Sequence, residues 1–347
     1  MLWWLAPMDW FTDSAFRTVT KYVLEKYKSK DSLFLFSEFM SADGYVNNPK
    51  WVCKHILKTD FEDNLIVQIF GWNEENLIKT AQDLDKKYDL YWIDLNLWCP
   101  SGKIISSWWG IGMLKDRSQT LQTIKKISKN INKPLSIKTR VWLDENDKDK
   151  QFDFILNASE FCKMISIHGR TLKQWHSWNV DWEFIYKIKE KVWKKCKIIW
   201  NGGIKSYQDW FKKNNNLDWI MIWQAAIWNP WIFVDKKPQI KEIYEIIKFH
   251  LKLSTCLEVF FESSRNEKNE VLWTFKLDDI EKKRKEVLKK EQGDQLRTPV
   301  EFRKHLFCYV KSLPNSKTLK QNITKIKCLD WLIKEIDNFF EKQFSLF

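Results

Sequence analysis

An α/β chain, built as a (β/α)8 TIM barrel with a C-terminal all-helical domain, is the fold this sequence predicts. Three observations carry it. Short apolar, β-rich runs alternate with amphipathic stretches from Leu2 to Ile222. Polar residues collect just after those runs, where a parallel barrel assembles its site. After Pro238 the strand-like runs stop and a helical pattern takes over.

In chain order, the strand-like runs are Leu2 to Ala6, Leu33 to Phe36, Leu65 to Ile69, Ile93 to Leu97, Leu135 to Thr139, Met164 to Ile167, Lys197 to Ile199 and Ile220 to Ile222. Between them, Ser14 to Tyr27, Glu74 to Lys86, Ser118 to Asn130 and Lys205 to Lys213 read as amphipathic or charged helices. A doubly wound sheet is the alternative, but no G-x-G-x-x-G follows the first strand, which favours the barrel. The barrel domain is expected over 1–238 and the helical domain over 239–347. Helices are expected in the latter at Ile240 to Leu253, Asp278 to Lys290, Val300 to Val310 and Leu319 to Phe340.

Hydrophobic residues at 44% and charged residues at 30% describe a folded globular protein, which excludes disorder as the starting point. The net charge of +13 suits a polyanionic partner such as RNA, although a generally basic proteome explains it equally well. From Phe302 to Leu329 no acidic residue occurs, while Arg303, Lys304, Lys311, Lys317, Lys320, Lys325 and Lys327 accumulate. Such a tract could neutralise phosphates or could be a solvated helix face. The cysteines are scattered, odd in number and lack any C-x-x-C pair, so no metal site or disulfide framework is expected and a reducing, cytoplasmic setting is. The apolar N-terminus has no basic n-region and meets Asp9 within one strand, so it does not read as a signal peptide. No run reaches the length of a membrane span, and no membrane partner is expected.

Tryptophan is the abnormal count. The chain has 22 Trp and 9 Gly, where an ordinary glycine share of ~7% would give about 24. Pooled, the two make an unremarkable glycine content.

The polar residues at strand ends are Pro7, Met8 and Asp9; Gln68; Asn96 and Cys99; Lys138 and Arg140; His168 and Arg170; Asn201, Gly202 and Gly203; and Gln224. Each could be structural, since a buried Gln or His usually satisfies the core and a lone Cys is usually a small hydrophobe. Their shared position after successive strands raises them to site candidates. Two loops, IIWNGGI and MIWQAAIWNPW, leave strands into small-residue turns and then helices. Backbone N–H groups there could hold a phosphate, the recurrent device after strands 7 and 8 of a barrel. Lys138 would add a fixed cation able to stabilise an anionic reduced cofactor.

With these pieces assembled, the chain resembles the tRNA-dihydrouridine synthases, FMN-dependent barrel enzymes. The matching stretches are LAPMDWFTDSAFR, SEFMSADG, VQIFG, IDLNLWCPSGK, SIKTRVWLDE, SIHGRTLKQWHSWNVDW, NGGI, IMIWQAAIWNPWIF and FRKHLFCY, in family order along nearly the whole chain. The resemblance implies reduction of the C5–C6 double bond of selected tRNA uridines, with electrons passed from NADPH through FMN. It implies that Pro7, Met8 and Asp9 line the flavin floor, that Gln68 and Lys138 contact the isoalloxazine, and that His168 packs beside it. Asn201, Gly202, Gly203, Trp223 and Gln224 would fall at the phosphate. Cys99 matches the proton donor, Asn96 would orient the base, and Arg140, Arg170, Arg303 and Lys304 would contact the tRNA. The chain is expected to act as a monomer. A small-molecule reductase of the dihydroorotate or dihydropyrimidine type and a non-catalytic tRNA-binding protein are the alternatives.

Set against the family pattern, Trp10, Trp98, Trp142, Trp175, Trp178, Trp200, Trp219, Trp223 and Trp228 stand where glycine is expected. Trp108 and Trp109 fall in a glycine-rich loop, whereas Trp182 and Trp231 match family tryptophans. Glycine serves in such turns because it alone reaches φ > 0 cheaply, and an indole at Trp200 or Trp223 would crowd the phosphate loop. This pattern is expected if UGA, a glycine codon in the source lineage, has been translated as tryptophan; a real Trp-rich, degenerate paralogue is the alternative, disfavoured because the changes fall on one target residue at so many motif positions. Gln224 also replaces a usual Arg, and Gly203 a frequent Asp.

Overall fold

The computed structural model describes residues 1–28, 30–97, 110–141, 147–171, 181–213, 217–227, 229–266, 273–291 and 296–345. All eight expected runs are strands, their ends shifted by one or two residues: β1 (Leu2–Leu5), β2 (Ser32–Phe36), β3 (Leu65–Phe70), β4 (Trp92–Asn96), β5 (Leu135–Arg140), β6 (Met164–His168), β7 (Lys197–Asn201) and β8 (Trp219–Ile222). Each pairs in parallel with the next. The pairing of β8 back onto β1, Trp4 beside Met221, closes the barrel.

Two compact units make up the chain. The first comprises 1–12, 29–56 and 63–225 and contains the barrel strands. Its strands are buried on both faces, as near-continuous Val, Ile and Leu content requires of a parallel sheet wrapped by helices. One face of alternate residues builds the barrel interior in layers. The lower layer is apolar: Trp4, Phe34, Phe36, Ile66, Met164, Ile199 and Met221 form one cluster, with Trp4 stacked on Phe34 at 4.2 Å between ring centroids. Two residues further along the same strands the interior turns polar, with Gln68, Ser166 and Asn201 all buried.

The helices around it are α2 (Glu74–Lys87), α3 (Arg117–Asn130), α4 (Lys148–Ala158), α5 (Trp182–Val192) and α6 (Tyr207–Lys213). Side-chain caps start three of them: Asn73 accepts from the Asn76 N–H, Asp116 from Gln119 and Asp181 from Phe184. The α5 helix ends on Trp193, which is 67% exposed and held at φ 51° and ψ −120°.

The second unit comprises 13–28, 57–62 and 226–347. It contains α1 (Ser14–Lys28), α7 (Ile240–Asn266), α8 (Ile280–Glu291), α9 (Arg303–Tyr309), α10 (Ser316–Ile323) and α11 (Leu329–Phe344). Glu62, fully buried, accepts from Ser14 Oγ, from the Thr59 N–H and from the Arg17 guanidinium, which also donates to the Leu57 carbonyl. A buried carboxylate is tolerable here because both of its oxygens accept hydrogen bonds, one of them from a guanidinium.

Three expectations for this region are corrected. The first helix runs on past Leu253 to Asn266, because Cys256, Leu257 and Phe261 continue its buried face. Leu319 to Phe340 is two helices: Cys328 takes an extended conformation, and the Ile326 carbonyl is drawn off by the Arg303 guanidinium. Strands also do not stop at Pro238, since Thr274–Phe275 pairs in parallel with Lys58–Thr59. Among the described residues no helix is long and apolar enough to cross a membrane.

The conformation of Trp193 is one that glycine reaches without penalty and an L side chain does not. Trp193→Gly is therefore expected to stabilise the protein by about 1–2 kcal/mol. Urea unfolding of the two proteins measures this, and an equal or lower midpoint for the variant would contradict the strain assigned to the position.

Candidate active site

Parallel pairing in register is what brings the polar residues together. Gln68 lies beside Asp94, Asp94 beside Ser136, Asn96 beside Lys138, Lys138 beside Ser166, Arg140 beside His168, and His168 beside Asn201. Residues distant in sequence are thus set side by side through backbone ladders.

At the centre of the group is Asp94, completely buried. Its Oδ2 accepts from Gln68 Nε2 at 2.7 Å and its Oδ1 accepts from Ser136 Oγ. Because the carboxylate takes the amide's donor, Gln68 must present its oxygen the other way, and Oε1 accepts from Asn96 Nδ2 at 2.9 Å. The Gln68 N–H in turn donates to Ser37 Oγ at 3.1 Å. Asp94 therefore sets the orientation of both amides. Burial pushes its carboxyl up to about 6, against the pull of the Ser136 and Gln68 hydrogen bonds and the Lys138 charge.

Lys138, within β5, is 1% exposed. Further round the ring, Asn201 donates to the Met221 carbonyl at 3.3 Å, while its Oδ1 is enclosed without a hydrogen-bond partner among the described residues. Gly202 follows at φ 106° and Gly203 at φ 73°. A Cβ on Gly202 would lie 2.7 Å from Cδ2 of His168, so the turn is glycine-only on two counts. The Trp223 ring meets His168 edge to face at 5.4 Å, and Gln224 opens a short 3-10 turn to Ala226.

Pro7 and Met8 are buried after β1, and Asp9 is half-buried. Burial, with the Glu38 carboxylate nearby, raises the Asp9 carboxyl. Glu38 itself lies 3.3 Å from His55 Nδ1. Arg140 donates to the Thr171 carbonyl at 2.9 Å, bracing the chain after β6, and Arg170 is buried beside it. Arg303 and Lys304 belong to α9 in the second unit, where the Arg303 guanidinium donates to the Ile326 carbonyl. Cys99 lies outside the described residues, as do Trp98, Trp108, Trp109, Trp142, Trp175, Trp178 and Trp228.

Trp200 stacks on Trp182 of α5, centroids 3.6 Å apart, and its indole N–H donates to the Gly202 carbonyl, so the ring is in direct contact with the turn. Sequence reading missed Asp94, Ser136 and Ser37. The signal for Asp94 was available: a carboxylate two residues before Asn96 inside a strand of apolar neighbours must be buried and must find donors.

The chain matches the family described as Dihydrouridine synthase (Dus) over residues 4–343. It is 27% identical over 314 residues to a probable tRNA-dihydrouridine synthase of Rickettsia conorii, covering 90% of this chain and 85% of that one. To a protein of the same name from Helicobacter pylori strain J99 it is 30% identical over 254 residues, 72% of this chain and 74% of that one. Among solved structures it is similar to DHODH from Eimeria tenella in complex with ferulenol, with a TM-score of 0.41 and 14% identity over 60% of this chain and 64% of that one.

Two consequences are measurable. The folded protein holds the Asp94 proton up to about pH 6, whereas an unfolded chain releases it near pH 4. The contribution of Asp94 to stability therefore falls as pH rises through that window, by roughly 1.4 kcal/mol per pH unit. Asp94→Asn is expected to remove this part of the slope in denaturant unfolding at about pH 4.5 and 6.5; parallel slopes for the two proteins would count against it. Gly202→Ala must displace the His168 ring and is expected to cost roughly 1–3 kcal/mol, and an unchanged thermal midpoint would refute the contact.

Proposed function

The chain belongs to the dihydrouridine synthase family, and from that membership we propose that it reduces the C5–C6 double bond of specific uridines in tRNA, using FMN and NADPH. The observation that carries this reading is that the family match spans both units while the barrel brings Gln68, Asn96, Lys138, His168 and Asn201 to one end. A small-molecule reductase would have no use for the basic tract of the second unit, and the relatives' names favour the tRNA substrate.

The residues present suit a flavin. A buried cation at Lys138, an enclosed acceptor at Asn201 Oδ1 and the glycine turn at Gly202 and Gly203 offer charge, a polar contact and close backbone approach. Pro7, Met8, Asp9, Gln68, His168, Trp223 and Gln224 would complete its surroundings. FMN, when bound, would supply the hydride for uracil C6, with NADPH as its reductant. Cys99 is the acid that protonates C5 from the opposite face. A thiol of ordinary pKa, about 8.5, is still protonated at neutral pH and suits that task. Asn96, its amide fixed through Gln68 and Asp94, orients the base, which must leave the RNA stack to reach the barrel mouth. Arg140, Arg170, Arg303 and Lys304 are the proposed contacts to the RNA.

We infer as well that the protein made in its own cell carries glycine at most of the anomalous tryptophans. Backbone conformation supports this. The described non-glycine residues at positive φ are Trp10, Trp193, Asp235 and Asn315; Asn and Asp tolerate that region, whereas Trp does not. Glycine at Trp223 would also remove the indole from the face of His168.

Codons and chemistry test these readings separately. UGA at Trp10, Trp200 and Trp223 with UGG at Trp182 and Trp231 is expected, and UGG throughout would defeat the recoding. For the reaction, the glycine-restored protein is expected to bind FMN and to form dihydrouridine in tRNA, and Cys99→Ala to lower the rate by 10²-fold or more while tRNA binding persists. Binding of tRNA by a flavin-loaded parent protein without any dihydrouridine would instead favour the non-catalytic alternative.

A further inference from the structure

The second unit holds a cluster that the proposed reaction does not use. Asp13 precedes α1, His250 lies midway along α7, and His305 sits in α9. Asp13 uses Oδ1 to cap α1, accepting the Phe16 N–H at 2.8 Å, and turns Oδ2 toward His305 Nε2 at 3.5 Å. His250 is wholly buried. Its Nδ1 lies 3.1 Å from the Tyr309 hydroxyl, while its Nε2 has no hydrogen-bond partner among the described residues. The two imidazoles are tilted at 60° with centroids 4.5 Å apart, and Phe16 and Phe302 pack against them.

One donor atom from each of Asp13, His250 and His305 lies within 4.8 Å of the others. A cation placed among three atoms so spaced starts within about 2.8 Å of each, so shifts of under ~1 Å reach the ~2.0–2.2 Å of zinc–nitrogen and zinc–oxygen bonds. The three come from elements distant in sequence, which is why the absence of cysteine or histidine spacing motifs did not reveal them.

We propose that Asp13, His250 and His305 form a binding site for a divalent transition-metal ion of the zinc class, joining α1, α7 and α9. The donor chemistry selects the ion: two imidazoles and one carboxylate suit zinc or cobalt, whereas magnesium and calcium prefer oxygen throughout. A hydrogen bond from Nδ1 to the Tyr309 oxygen would fix the His250 tautomer and aim the Nε2 lone pair into the cluster, the usual arrangement behind a metal-bound imidazole. An Asp13–His305 ion pair by itself would account for two of the three groups but would leave the His250 Nε2 enclosed with nothing to bind, an arrangement that destabilises a core.

The test uses the full chain, stripped with chelator and titrated with Co²⁺, then with Zn²⁺ in competition against a chromophoric chelator. One saturating equivalent with a visible d–d spectrum is expected, with affinity reduced 10–100-fold in His250→Gln and in Asp13→Asn and unchanged in Cys328→Ser. Zinc is expected to raise the thermal midpoint of the parent chain and not of His250→Gln. Absence of a saturable cobalt spectrum in the parent chain overturns the proposal whatever the variants do. An undiminished affinity in a folded His250→Gln overturns it equally.

Discussion

The Asp94 carboxylate is the constraint on which the rest of the barrel mouth depends. It is sealed inside β4, so the carboxyl has to find its donors within the barrel, and it finds Gln68 on one neighbouring strand and Ser136 on the other. Each bond fixes a choice that would otherwise be open. An amide flipped at Gln68 would face the carboxylate with its own oxygen, and repulsion in a medium of low dielectric makes that state costly. The flip at Gln68 decides which atom Asn96 meets. A single buried charge thus propagates order across adjacent strands, and the apolar layer of Trp4, Phe34, Phe36 and Met221 beneath it keeps water from competing.

Most of the barrel was legible in the sequence because strands buried on both faces leave a strong local mark: short β-branched and aliphatic runs with turn residues after them. The candidate site was legible at the same positions, since register in a parallel barrel converts position after a strand into position in space. What escaped notice had a common cause. Asp94 and Ser136 matter through each other, and Asp13, His250 and His305 matter only when α1, α7 and α9 pack together; neither grouping has a spacing that one segment could display. The break between α10 and α11 escaped for the same reason. Thr324 to Cys328 contains no proline or glycine, and the chain turns there because Arg303, far back in sequence, takes the Ile326 carbonyl that a continuing helix would need.

The tryptophans separate into those the fold accommodates and those it strains. Trp4 belongs to the barrel floor and Trp200 stacks flat on Trp182, so each covers apolar surface, although the Trp4 Nε1 is buried without a hydrogen-bond partner among the described residues. Trp10 and Trp193 are exposed, pack little surface and sit at φ 70° and 51°. Nothing gained from burial offsets the backbone strain at these two positions. A chain shaped by selection for tryptophan would place the residue where its area is buried. Exposed indoles at glycine-type turns are what the proposed codon misreading would produce.

Within the basic tract from Phe302 to Leu329 the cationic side chains divide by role. Its charges are not equivalent. Arg303 turns inward to hold the Ile326 carbonyl, and its Nε is buried without a hydrogen-bond partner among the described residues, so much of its value is structural. Lys311, Lys317, Lys325 and Lys327 are exposed. Mobile, hydrated ammonium groups of this kind neutralise phosphates without fixing a register, and their contribution fades with salt. A polyanion drawn to this unit would therefore be attracted by the lysines and positioned by something stiffer. In the proposed reaction that stiffer element is the barrel mouth itself, where Asn96 is locked through Gln68 to Asp94 and a uridine must fit before any chemistry can follow.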